Sequence, residues 1–221
     1  YIRLPINQIH QNIMLVKVFA SATHGVDAQT IDVEVNSGGE IPAGKLGYFL
    51  VGLPDNAVKE GYMRIEAAAK NSGMKLPRIR MTVNLAPADI RKEGAAYDLP
   101  IAIGMLAATG FIRKDLLDKY IILGELSLDG AIRPIKGALP IAIQARKEGF
   151  KGFILPAENA REAAIVSDLI VYDGISKLID DLKNDKEAKL ACVHVFDKIE
   201  KVLPPDTVVT NDINVLFEQS D

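Results

Sequence analysis

Cysteine is almost absent: Cys192 is the single one in 221 residues, so an internal disulfide framework is excluded. It lies in an apolar run, residues 190–196, and reads as a small buried hydrophobe rather than a reactive thiol. The three histidines, His10, His24 and His194, are too scattered for a zinc-ligand pattern, and no structural metal is expected. No stretch approaches the roughly 18 uninterrupted apolar residues of a membrane span, and the N-terminus lacks a basic segment followed by an apolar one. The expectation is a soluble, cytoplasmic chain with no membrane partner.

What is present is ordinary globular material, 48% hydrophobic and 25% charged, enough for one sizeable core or one domain plus an appendage. The formal net charge of −3 hides an uneven distribution. Residues 59–92 carry eight Lys or Arg against three acids, a net of +5, whereas residues 162–221 carry six against thirteen, a net of −7. The middle of the chain can face an anion; the tail cannot.

Periodicity supplies the elements. Residues 15–22 and 30–35 read as strands, the second with Ile31, Val33 and Val35 alternating against Asp32 and Glu34. A glycine-rich loop, residues 37–47, leads into an apolar strand at 48–53. Asp55 or Asn56 then caps a helix with Val58, Tyr62, Ile65 and Ala69 on one stripe, ended by Gly73, while Lys59, Arg64 and Lys70 take the opposite face. Residues 78–84 alternate as a half-buried strand with a basic face. Residues 99–109 are apolar nearly all round, a helix packed on several sides, with Asp98 as its N-cap and a proline in its first turn. Strands are expected at 121–128, 131–135, 152–155 and 169–172, and helices at 138–147, closed by Gly149, and at 158–167. The pattern makes an α/β domain at 14–182, after a 13-residue N-terminal extension or appended segment and before an acidic linker at 183–221.

Gly39 to Lys45 matches the spacing of a phosphate-binding loop, G-x-x-x-x-G-K. Its context fails: Leu46 cannot ligate magnesium as Ser or Thr would, a strand rather than a helix follows, and Pro42 removes an amide from the nest. A basic cluster of Lys59, Arg64, Lys70, Lys75, Arg78, Arg80, Arg91 and Lys92 offers a phosphate-facing surface, with Arg78, Arg80, Arg91 and Lys92 as the nucleic-acid candidates. No aromatic ladder interleaves with it, so stacking on single strands is not indicated.

Five runs, residues 14–18, 25–28, 51–60, 83–102 and 124–134, together closely resemble the N-terminal domain of the YifB/ComM family of magnesium-chelatase-like AAA+ ATPases. The resemblance extends from about Met14 to Leu182. It implies the fold of the Lon protease catalytic domain, a ribosomal-protein-like α/β variant with a mixed sheet and packed helices. It also implies a downstream ATPase module, using ATP and Mg2+, that forms hexameric rings and drives DNA branch migration in recombination and natural transformation. No cofactor is expected in the present residues.

Lon-type peptidases pair a serine with a lysine. The resemblance sets Asp98 at the serine position and Leu139, or a close neighbour, at the lysine position, and neither can acylate or act as base. Lys136 lies near that lysine position and reads as solvated or anion-facing. The domain is therefore expected to be non-catalytic, serving ring assembly and the guidance of DNA, against two rivals: a divergent hydrolase using Asp98, and a subunit that inserts magnesium into a porphyrin.

Overall fold

The computed structural model describes residues 14–39, 41, 47–73, 76–112, 114 and 117–173. The N-terminal segment, the acidic tail with Cys192, His10, His194, Lys75, the expected domain end near Leu182 and most of the glycine-rich loop lie outside them.

The scaffold begins with a long antiparallel hairpin. Strand β1 (Met14–His24) pairs with β2 (Asp27–Ser37) from Met14 opposite Ser37 to His24 opposite Asp27. Both strands alternate because one face is buried, and Gly25, at φ +63°, makes the turn. Seven strands follow the order β3-β4-β2-β1-β5-β8-β9. On one flank β4 (Met81–Ala86) runs antiparallel to β2, and edge strand β3 (Tyr48–Val51) runs parallel to β4. On the other, β5 (Tyr120–Ile122), β8 (Gly152–Leu155) and β9 (Ile170–Asp173) add in parallel to β1. A separate two-stranded ribbon joins β6 (Glu125–Leu126) to β7 (Ile132–Arg133). This is the mixed sheet with packed helices that the resemblance implies.

Helices cover the two faces unequally. Helix α1 (Asn56–Asn71) connects β3 to β4, and α2 (Asp98–Ala108) is buried at every position. Gly104 of α2 sits so close to the sheet that a Cβ there would meet Val35 at 2.6 Å, which sets α2 on the Val18/Val35 face. Helix α3 (Ala138–Lys147) lies on the opposite face. Phe150, just after it, meets Phe19 edge-on at 5.2 Å, and Glu148 accepts a hydrogen bond from Thr30, residues of the alternate parity on β1 and β2. The part of that face belonging to β3, β4 and the start of β1 has no helix against it among the described residues.

Three elements differ from the periodic reading. The expected strand at 78–84 starts only at Met81: Ile79 donates to the Pro77 carbonyl, a turn that leaves exposed Arg78 and Arg80 in the lead-in. The expected strand at 121–128 breaks at Gly124, whose amide bonds Ala96 and whose carbonyl accepts from Leu99, so β6 peels away from the sheet. The expected helix at 158–167 shrinks to a 3-10 turn, Ala157–Asn159, and α4 (Ala160–Ala163), because the Asn159 side chain is engaged with both backbone groups of Ile135.

The turn between β3 and α1 passes directly over β4. Gly52 holds φ +100°, and a Cβ there would lie 2.1 Å from the Leu85 carbonyl oxygen. Gly52→Ala is expected to lower the unfolding free energy by at least about 2 kcal/mol, read by urea denaturation, because neither the backbone conformation nor the space accepts a side chain.

Candidate functional site

Asp98 is 1% exposed and is the first residue of α2. It does not cap that helix. The N-cap position belongs to Tyr97 without any side-chain bond, and Leu99 gives its amide to the Gly124 carbonyl instead. The capping role expected for Asp98 is thus replaced: its carboxylate turns to Arg64 of α1, taking Nε at 2.6 Å on Oδ2 and one terminal nitrogen at 2.9 Å on Oδ1. A third bond, from the Leu126 amide at 3.3 Å, reaches in from β6. Burial pushes the carboxyl up from its ordinary value, and the two Arg64 bonds and the guanidinium charge pull it back.

The surroundings are shaped for this pair. Gly61 lies one turn before Arg64, and a Cβ there would stand 2.6 Å from Oδ1 of Asp98. Arg64 is held from its other side by the Ala57 carbonyl at 2.7 Å. Tyr48 stacks on Tyr62, ring centroids 4.6 Å apart, and its buried hydroxyl finds no hydrogen-bond partner among the described residues. Burial, and after it the Asp98 charge, push that hydroxyl upward, so Tyr48 is no source of a nucleophilic phenolate. Asp98 therefore faces a guanidinium that cannot act as a base. Leu139 lies in the first turn of α3, partly buried against the core, with its amide bound to Glu162. Lys136 is exposed before that helix.

The basic candidates do not converge on one patch. Arg78 and Arg80 flank the start of β4; Arg91 sits beyond its far end, about 20 Å of strand away, and pairs with Glu93 at 3.1 Å. Arg80 lies over the Phe49 ring at 4.8 Å. Lys92 has to be removed from the exposed set. It is 0% exposed, and its ammonium donates to the Pro87 carbonyl. Its backbone is latched to the start of α1, donating to Leu53 and accepting from Asp55, and Asp55 in turn accepts from Val58 and Gly94. Arg64 leaves the phosphate-facing set for the same kind of reason: its charge is engaged by Asp98.

The glycine-rich loop fails the nucleotide test structurally as well. Strand β3 begins at Tyr48, so no helix N-terminus stands where a phosphate would need one. Among the described residues no cluster of His, Cys, Asp and Glu is placed to hold a metal ion, and no helix is long and apolar enough to cross a membrane.

A family model described as subunit ChlI of Mg-chelatase matches residues 33–159. The chain belongs to this ChlI family. Within it, competence protein ComM of Haemophilus influenzae is 42% identical over 155 residues, which is 70% of this chain and 30% of that protein. YifB of Escherichia coli is 43% identical over 150 residues, 68% of this chain and 29% of that protein. The chain thus spans about three tenths of these relatives. Lon protease 2 of Bacillus subtilis is 32% identical over 107 residues, 48% of this chain and 18% of that protein. A separate 46-residue stretch, 21% of this chain, is 65% identical to part of 4-hydroxy-tetrahydrodipicolinate reductase of Aliarcobacter butzleri, covering 18% of it.

For this ChlI-family domain the buried pair has measurable consequences. Asp98→Ala strands a buried guanidinium and is expected to cost about 3–5 kcal/mol in denaturant unfolding. The double variant Arg64→Met/Asp98→Leu should recover most of that loss; no recovery would mean that the pair is not what holds these elements together.

Lys92 gives a pH signature. Burial lowers its pKa below the ordinary 10.5, with Asp89 opposing. A lysine depressed in the folded state disfavours folding while it must be charged, so stability should rise as pH climbs through the window just below 10.5. Lys92→Met is expected to abolish that rise in pH-dependent denaturation.

Proposed function

We propose that this domain is a non-catalytic assembly and DNA-guiding module of a ComM-like ATPase. The observation that carries the reading is the Arg64–Asp98 pair, which fills with a satisfied ion pair the place where the Lon resemblance would put a nucleophile. Such a pair supports a structural role at α2 and leaves the divergent-hydrolase reading without a base.

Guidance of DNA is supported by Arg78 and Arg80, which are exposed and have no carboxylate partner among the described residues. ATP hydrolysis with Mg2+ is assigned to the portion of ComM-like relatives that this chain does not span. Ring formation by copies of the full-length protein would repeat a weak phosphate contact around a circle and turn it into useful avidity. The family description supports a second reading, a subunit of a magnesium chelatase. Porphyrin metallation unchanged after deletion of the full-length protein would eliminate it.

Titration of the chain onto fluorescent forked and single-stranded DNA, followed by anisotropy at low and high salt, tests the first reading. Binding should weaken with salt, and Arg78→Glu/Arg80→Glu should reduce both affinity and the salt slope, the slope by roughly one for each phosphate no longer neutralised. Lys92→Met should bind as the parent does. No binding by a folded chain at any salt would leave assembly as its role and remove DNA guidance.

A further inference from the structure

The open half of the sheet face puts together residues that are scattered in the chain. Strand register aligns Leu15, Asn36, Thr82 and Phe49 in one row across β1, β2, β4 and β3, and Lys17, Glu34, Asn84 and Val51 in the next. Phe49 is 41% exposed at the sheet edge, with the Arg80 guanidinium over its ring.

The charges on this face are not balanced at random. Asp32 is paired with Lys17 at 2.5 Å, and Glu34 accepts from the Asn84 amide at 2.8 Å. Both carboxylates are therefore occupied, while Arg80 has no carboxylate partner among the described residues. Asn36 and Thr82, both half-buried, keep side-chain hydrogen-bonding groups free for a ligand. An aromatic ring, a planar cation and open amide and hydroxyl groups on a flat sheet suit a ligand with a π-face, hydrogen-bonding edges and a negative backbone.

We propose that this face, centred on Phe49 and Arg80, is a stacking platform for single-stranded nucleic acid. The inference rests on the DNA-guiding reading and adds to it the strand state and the contact: a base lies against Phe49, and Arg80 meets the neighbouring phosphate or base plane. No periodicity along the chain reports this arrangement, because Phe49 and Arg80 are 31 positions apart in sequence and meet only through the parallel pairing of β3 with β4.

The sequence contains no tryptophan, so Phe49→Trp places a single reporter on the platform. Oligothymidylate of about 20 nucleotides should quench its emission, whereas heparin, a polyanion without bases, should not. Phe49→Ala should weaken single-strand binding about tenfold and leave the salt slope unchanged. Arg80→Glu should weaken binding and flatten the slope. Thermal melts of each variant confirm folding.

If Phe49→Ala binds like the parent while Arg78→Glu/Arg80→Glu does not, phosphate binding stands and the platform falls. If no variant differs and no DNA binds, both readings fall. Emission that changes with protein concentration alone would show the face buried against a second copy, which also overturns the platform.

Discussion

A carboxylate at the first turn of a helix that is buried all round must be met by positive charge, and here one arginine meets it. Helix dipole, guanidinium and a β6 amide converge on Asp98, so a single ion pair fastens α1, α2 and the peeled-off ribbon to each other. A methyl group on Gly61, the arginine's neighbour one turn away, would take the seat the carboxylate occupies. The local geometry of three elements is thus subordinate to one electrostatic requirement. It also explains why a site with the outline of a hydrolytic centre is chemically quiet: the position is occupied by a charge already neutralised.

How much of this was legible in advance depended on the range of the interaction. The β1–β2 hairpin, the Asp55 cap of α1 and the bounds of α3 and β8 follow from local period, capping chemistry and glycine stops. The strand expected through Gly124 failed because tertiary bonds from Ala96 and Leu99 captured that glycine's backbone, something no alternation of side chains reports. Asp98 looked like a cap because its neighbours in sequence are a helix start; its real partner lies 34 positions away. Gly61, a glycine inside a good helix, was the available signal that something bulky or charged approaches α1 there.

The basic cluster teaches the same lesson about charge. Counting cations along the chain treats Lys92, Arg64 and Arg91 alike, yet one is fully buried, one is neutralised by a buried acid and one is answered by an exposed glutamate. The positive charge left for a ligand is carried by fewer side chains than composition suggests, and Arg80 gains from standing beside an aromatic ring what it lacks in company.

The order of the sheet also bears on how the molecule is made. Strand β1 sits in the middle, yet its partner on one side, β5, meets it through Phe19 and Ile121, about 100 residues apart in the chain. As the polypeptide emerges from the ribosome, the hairpin, α1, β4 and α2 can assemble first, but the flank of β1 stays bare until Tyr120–Ile122 arrives. A nascent chain stalled before that point carries an unpaired central strand, the state most exposed to mispairing and the one a chaperone would have to shield.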